Sequence, residues 1–114
     1  MARRGLSSEQ IIQAAVALVE QGGYERFSIR ELAQRLGVQP SSLYNHIAGI
    51  DEVTVAVGME AAVRMNRLLT EAASGLEPEA AFLAAARAYR SFALANPELY
   101  KALMRMPAPQ NDEL

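Results

Sequence analysis

From Ser7 to Gly23 the apolar residues Ile12, Ala15, Val16 and Val19 recur at i, i+3, i+4 and i+7, the spacing of one buried stripe on an α-helix. Ser7 and Gln10 have the capping-box spacing ahead of that stripe, Leu6 can staple onto Ile11 across it, and Gly22-Gly23 supplies left-handed backbone to end it. The same device returns at Ser28. There Glu31 is the reciprocal partner, Phe27 and Leu32 make the staple, and Ile29, Leu32, Ala33 and Leu36 form the inward face of a helix over residues 29–36. Gly37 follows where positive φ is cheapest, and Val38 and Gln39 make a turn. Pro40 takes the first position of a short helix predicted to run to Ile47. In it Leu43 and Ile47 face inward with Val38, which leaves Ser41, Ser42, Tyr44, Asn45 and His46 to project outward or sideways.

The remaining pattern is also helical. Asp51 is a good N-cap for a long helix to Ala73, with Val53, Ala56, Val57, Met65, Leu68, Leu69 and Ala72 on its buried side. Gly58 is expected to weaken the middle of that helix by roughly 1 kcal/mol relative to alanine. After Ser74-Gly75, Pro78 opens a helix to Ala95 in which Phe82, Ala85, Ala86, Tyr89 and Ala93 recur at helical spacing. Asn96-Pro97 caps a last helix, predicted to end at Met106, and Pro107 to Leu114 has too few apolar residues to pack and is expected to fray. No segment reads as a strand. The predicted fold class is all-α: a three-helix helix-turn-helix domain over residues 1–50, joined by a long linker helix to a partial helical domain over residues 51–114.

Just over half of the 114 residues are apolar, enough for one compact domain or a small domain with part of a second. Cysteine is absent, which removes disulfides and thiolate metal sites. The basic start Met1-Ala2-Arg3-Arg4-Gly5 runs into polar residues instead of an apolar signal core, and charges interrupt every apolar stretch short of a membrane span. The chain is therefore expected to be soluble and cytoplasmic, without a membrane partner. A single histidine, no Gly-rich phosphate loop and no paired carboxylates argue against an enzyme, and no metal site or cofactor is expected. Net charge is −2, and its distribution is only weakly asymmetric: five arginines oppose four glutamates up to Ile47, while six basic residues oppose nine acidic ones beyond it. Charge alone would not suggest nucleic acid.

Local structure does. Two short helices joined by a Gly-containing turn, the second presenting small polar groups, have the geometry of a helix-turn-helix, and the residues at the start of the second helix reach base edges in a major groove. Gln39, Ser41 and Ser42 are amide or hydroxyl groups at that start. Arg30, in the first turn of the preceding helix, can reach a phosphate or a guanine edge, and Tyr44 and His46 suit phosphate oxygens.

The run from Phe27 through Val38 (FSIRELAQRLGV), followed by Ser42-Leu43-Tyr44-Asn45-His46-Ile47, resembles the DNA-binding signature of the tetracycline-repressor (TetR) family of bacterial regulators. The similarity covers about Leu6 to Met59. It implies DNA contacts at Ser28 and Arg30, at Gln39, Pro40, Ser41 and Ser42, and at Tyr44, Asn45 and His46. It further implies a helical ligand-binding and dimerisation domain, whose occupancy by a small-molecule effector moves the fourth helix and respaces two reading heads. The run from Tyr89 to Met104 resembles the start of one such effector domain. Ile50 stands where members usually carry a phosphate-binding lysine. What the resemblance implies is a one-component transcriptional regulator, a repressor bound as a homodimer to a near-palindromic operator in double-stranded DNA, hence associated with the nucleoid.

Plainer roles stand beside these. Leu32, Leu36, Val38, Leu43 and Ile47 are core residues whatever the function. Tyr44 could be a half-buried aromatic with its hydroxyl in water, His46 a cap or a surface residue, and Arg3 and Arg4 either a solubilising tail or an arm along a groove. Phe82, Tyr89, Met59, Met65, Met104 and Met106 read as core before ligand pocket. A helix-turn-helix that has become a protein-interaction module is the competing function, favoured by Ile50 and the weak charge.

Overall fold

The computed structural model describes residues 6–106; the Arg3-Arg4 arm and the expected fraying of Pro107–Leu114 lie outside them. Six α-helices follow in order: α1 (Ser8–Gly22), α2 (Ile29–Leu36), α3 (Pro40–Leu43), α4 (Ile50–Ala73), α5 (Pro78–Ala95) and α6 (Pro97–Met104). A 3-10 turn, Tyr24–Arg26, separates α1 from α2 and was not anticipated. No strand occurs among the described residues.

The first two caps form where the spacing put them. Ser7 Oγ accepts from the Gln10 N–H at 3.2 Å while Gln10 Oε1 accepts from the Ser7 N–H at 2.9 Å, a complete capping box. At α2 only half of the box forms: Ser28 Oγ accepts from the Glu31 N–H at 3.2 Å, and Glu31 returns no bond among the described residues. Ile11, fully buried, replaces Ile12 as the head of the α1 stripe with Ala15, Val16 and Val19, and Ile12 packs at its margin.

The start of α4 corrects an expectation. Its cap is Gly49 in extended backbone, and Asp51 lies inside the first turn with Glu52, where both carboxylates sit favourably at the positive end of the helix dipole. Glu52 reaches back to accept from the Ala48 N–H at 2.7 Å, which supplies the anchor that Asp51 was expected to provide. Asn96 likewise gives α6 no side-chain cap; its amide donates backward to the Phe92 carbonyl at 3.2 Å. α6 ends at Met104, two residues earlier than predicted.

One cluster of buried apolar side chains runs from Ile11 through Leu32, Leu43 and Ile47 to Val53, Val57, Ala61, Phe92, Leu99 and Ala102. Helix α4 is its spine, packing on α5 and α6 and touching α1. Phe82, expected inside, is 72% exposed, and Phe92 takes the buried position on α5. Leu68, Met59 and Met104 are also exposed, whereas Met65 is half-buried against the core. Tyr89 is half-buried, its hydroxyl 2.8 Å from that of Tyr100 and its ring edge-on to the Tyr100 ring; that hydrogen bond is the main reason its hydroxyl sits above the usual tyrosine range.

Polar contacts tie α6 to the 3-10 turn. Glu98 Oε1 accepts from the Tyr24 N–H at 2.8 Å, Lys101 Nζ lies 3.3 Å from Glu98 Oε2, and Arg105 Nη1 donates to Glu25 Oε2 at 2.7 Å. The Tyr24 N–H, helped by Lys101 and Arg105, holds the Glu98 carboxyl below its ordinary range; the Arg105 hydrogen bond, helped by Lys101, does the same for Glu25. Partial burial opposes both shifts, and at Glu25 the Glu98 charge opposes as well. A carboxylate with a depressed folded-state pKa stabilises the fold above its unfolded pKa, and that contribution is lost as pH falls through the lower folded value. Wild type should therefore melt above Glu98→Gln at pH 7, with the gap closing as pH drops below about 4.5. Thermal melts of both chains across that window check it; a gap independent of pH would show that the Glu98 charge contributes nothing.

Candidate nucleic-acid interface

Helix α2 is fixed at both ends by local chemistry. Ser28 caps its start, and because Oγ only accepts in that bond, the hydroxyl proton remains able to donate outward. At its end Gly37 adopts φ 72°, ψ 30°. The Gly37 N–H reaches the Gln34 carbonyl at 3.2 Å and the Val38 N–H reaches the Ala33 carbonyl at 3.0 Å, the paired closure of a Schellman motif. A side chain at Gly37 would meet nothing within 4 Å, so glycine is required there by backbone conformation alone.

This turn delivers α3. Gln39, in extended backbone, makes no side-chain cap, and Pro40 pre-sets the first turn as expected. The helix itself is shorter than predicted, ending at Leu43 and not Ile47. Beyond it the Asn45 N–H bonds to the Ser42 carbonyl at 3.3 Å, and the His46 and Ile47 N–H groups share the Leu43 carbonyl at 2.8 and 3.0 Å. Serine, tyrosine, asparagine and histidine are all weaker helix formers than alanine or leucine, so the helix does not propagate: the Asn45 and His46 bonds are of the tighter i+3 kind, and a last i+4 bond at Ile47 closes the segment.

The tightened turn sorts the side chains. Leu43 and Ile47 are buried, whereas Ser41, Tyr44, Asn45 and His46 are exposed and Ser42 is half-buried. Tyr44 is 53% exposed, so its ring is not a core aromatic. Gln39 and Pro40 are exposed at the leading edge of the same helix. On α2, Ser28 is half-buried in its cap and Arg30 is exposed, with no ion-pair partner among the described residues. Arg35, by contrast, is engaged by Gln21 Oε1 at 2.9 Å. The arrangement offers hydroxyl, amide, imidazole and guanidinium groups on a scaffold held from behind by leucine and isoleucine. Its cationic content is low, and Asp51 and Glu52 at the head of α4 reduce it further.

No group of three or more potential metal ligands occurs among the described residues, and no helix there is long and apolar enough to cross a membrane.

Residues 11–57, which take in most of α1, all of α2 and α3 and the head of α4, match the family model described as "Bacterial regulatory proteins, tetR family". Residues 82–114 match a second, "Tetracyclin repressor-like, C-terminal domain". The chain belongs to the TetR family. It is 33% identical over 107 residues to an uncharacterised HTH-type transcriptional regulator of Mycobacterium tuberculosis, an alignment covering 94% of this chain and 49% of that one. A solved structure of a protein of unknown function from Rhodococcus sp. RHA1 superposes with TM-score 0.76 at 26% identity, covering 96% of this chain and 59% of that one. TetR from Acinetobacter baumannii shares the fold, with TM-score 0.70 at 19% identity over 95% of this chain and 55% of that one. The chain spans about half the length of the curated relatives it matches. All nine residues from Ser28 to His46 singled out above lie inside the first family match. The long-range contacts Glu98–Tyr24 and Arg105–Glu25 were not foreseen, since no local spacing links residues 74 and 80 positions apart.

Proposed function

We propose that this TetR-family chain is a cytoplasmic, one-component transcriptional repressor that reads a near-palindromic operator as a homodimer and is released by a small-molecule effector. The observation that carries the DNA-reading part is the sorting of α3 and its following turn, with Leu43 and Ile47 inward and Ser41, Tyr44, Asn45 and His46 outward. In this scheme residues 1–50 form the reading head. Gln39, Pro40, Ser41 and Ser42 enter the major groove first, Arg30 meets a guanine edge or a phosphate, and Ser28, Tyr44, Asn45 and His46 hold the backbone in register. Residues 51–114 supply the linking helix and part of the effector-binding domain. The small positive charge of one head makes pairing of two heads a requirement, because phosphate neutralisation scales with the number of contacts.

A mobility-shift titration on the promoter of its own gene, against random DNA at two salt concentrations, tests this. Arg30→Ala and Tyr44→Ala should each weaken operator binding by about tenfold or more, and loss of a phosphate contact should lower the salt slope by about one. If the wild-type chain binds operator and random DNA alike without responding to salt, the DNA-reading function is wrong and the interaction-module function takes its place.

A further inference from the structure

The 3-10 turn Tyr24–Arg26 ends two residues before Ser28, the cap of α2. At the start of such a turn the N–H groups have no acceptor within the turn, and Gly23, which precedes it, has no side chain to supply one. Glu98 supplies it from α6, 74 positions away, by accepting from the Tyr24 N–H at 2.8 Å. A charged acceptor on a backbone N–H is a stronger contact than a solvent-exposed ion pair. Arg105, from the residue closing α6, adds a second tie to Glu25 and lies 5.9 Å from the centre of the Tyr24 ring. Beside Glu98 lies a cavity of about 120 Å³ lined by Glu20 of α1 and by residues 95–99. Leu99 and Ala102 seat the inner face of α6 in the core, while on the Glu98 side, next to this cavity, the bond to Tyr24 ties α6 to the turn.

We propose that Glu98 is a positioning residue for the reading head: it caps the turn ahead of α2 from a distant helix, so that a displacement of α6 is passed to Ser28 and Arg30. The role rests on the DNA-reading function proposed above. It adds a direct contact between α6 and the turn to the packing of α6 on α4. Lys101, on the other oxygen of Glu98, holds the carboxylate toward the turn.

Amide hydrogen exchange on the full chain without DNA, for wild type, Glu98→Ala and Glu98→Gln, tests the fixing of the turn. Glu98→Ala should speed exchange across residues 24–30 by about tenfold while the amides of Val57 and Ala61 change by less than about twofold. Glu98→Gln keeps an oxygen for the Tyr24 N–H and should restore most of that protection. In a parallel DNA titration, operator affinity should fall in the same order with an unchanged salt slope, because no phosphate contact is removed. Uniform acceleration throughout the chain, or none at residues 24–30, overturns the proposal. So does local acceleration with unaltered operator affinity. If wild type itself fails to distinguish operator from random DNA, the DNA-reading function falls, and the exchange pattern still decides whether Glu98 fixes the turn.

Discussion

Leu43→Ala is expected to destabilise the chain by about 3–4 kcal/mol, within the range for a fully buried leucine cut back to a methyl group. Leu43 has no exposed surface and is the one buried residue within α3 itself. A helix of four residues has no stability of its own, because nucleation costs more than so few hydrogen bonds return. Its orientation is therefore set by what Leu43 and Ile47 touch, and the polar side chains between them inherit that orientation. The neighbouring Tyr44→Ala removes a larger side chain, yet it should change stability by no more than about 1 kcal/mol, because just over half of the residue is in solvent. Urea denaturation of the two variants separates the cases. Equal costs, or a Leu43→Ala cost under about 1 kcal/mol, would mean that α3 is not held by this contact.

That pair of residues also marks how far sequence reasoning reached. The choice between inward Leu43 and outward Tyr44 followed from helical spacing alone, as did the Ser7 and Ser28 caps and the left-handed Gly37, because each depends on neighbours within a few positions. The end of α3 did not, since periodicity cannot tell an α-turn from the tighter i+3 bonds made by Asn45 and His46. The start of α4 failed for a related reason. Asp51 and Glu52 both suit a helix N-terminus, and only the structure shows Glu52 reaching back to Ala48.

Faces were harder than elements. On α5, Phe82 lies about 80° round the helix from Phe92 at 3.6 residues per turn, so both fit a broad apolar stripe. Which edge of the stripe is covered depends on where α4 and α6 lie, and these helices cover Phe92. The same holds at α1, where adjacent Ile11 and Ile12 compete and the packed neighbours favour Ile11. The Glu98–Tyr24 and Arg105–Glu25 contacts were beyond reach altogether, because they are fixed by the docking of α6. Five of the nine candidate site residues, Ser41, Ser42, Tyr44, Asn45 and His46, were legible from spacing as groups projecting outward or sideways, and the full set came from the family resemblance. Their chemistry toward DNA is a property of the partner, which the chain by itself does not display.

Gly58 reversed its meaning between sequence and structure, and the reversal is measurable. By helix propensity alone it is a weak point, and any side chain there should stabilise α4, alanine by about 1 kcal/mol. In the structure Gly58 is buried where α4 meets α6: a Cβ at this position would stand 2.9 Å from Met106 Sδ, 3.0 Å from the Ala102 carbonyl oxygen and 3.1 Å from Met106 Cβ. The methionine thioether can swing aside, but the carbonyl belongs to α6 and can yield only if that helix moves. Gly58→Val, which adds two methyl groups beyond the Cβ, should therefore cost about 3 kcal/mol in spite of its better propensity. Gly58→Ala decides between the two influences. A loss, read as a lower urea midpoint with an unchanged slope, means that the approach of α6 outweighs propensity. Met106→Ala in the same chain should recover only the part of that loss due to the thioether. A gain near 1 kcal/mol for Gly58→Ala would instead show that α6 moves away from α4 at little cost, and with it that the seating of Glu98 and Arg105 on the turn ahead of α2 is loose.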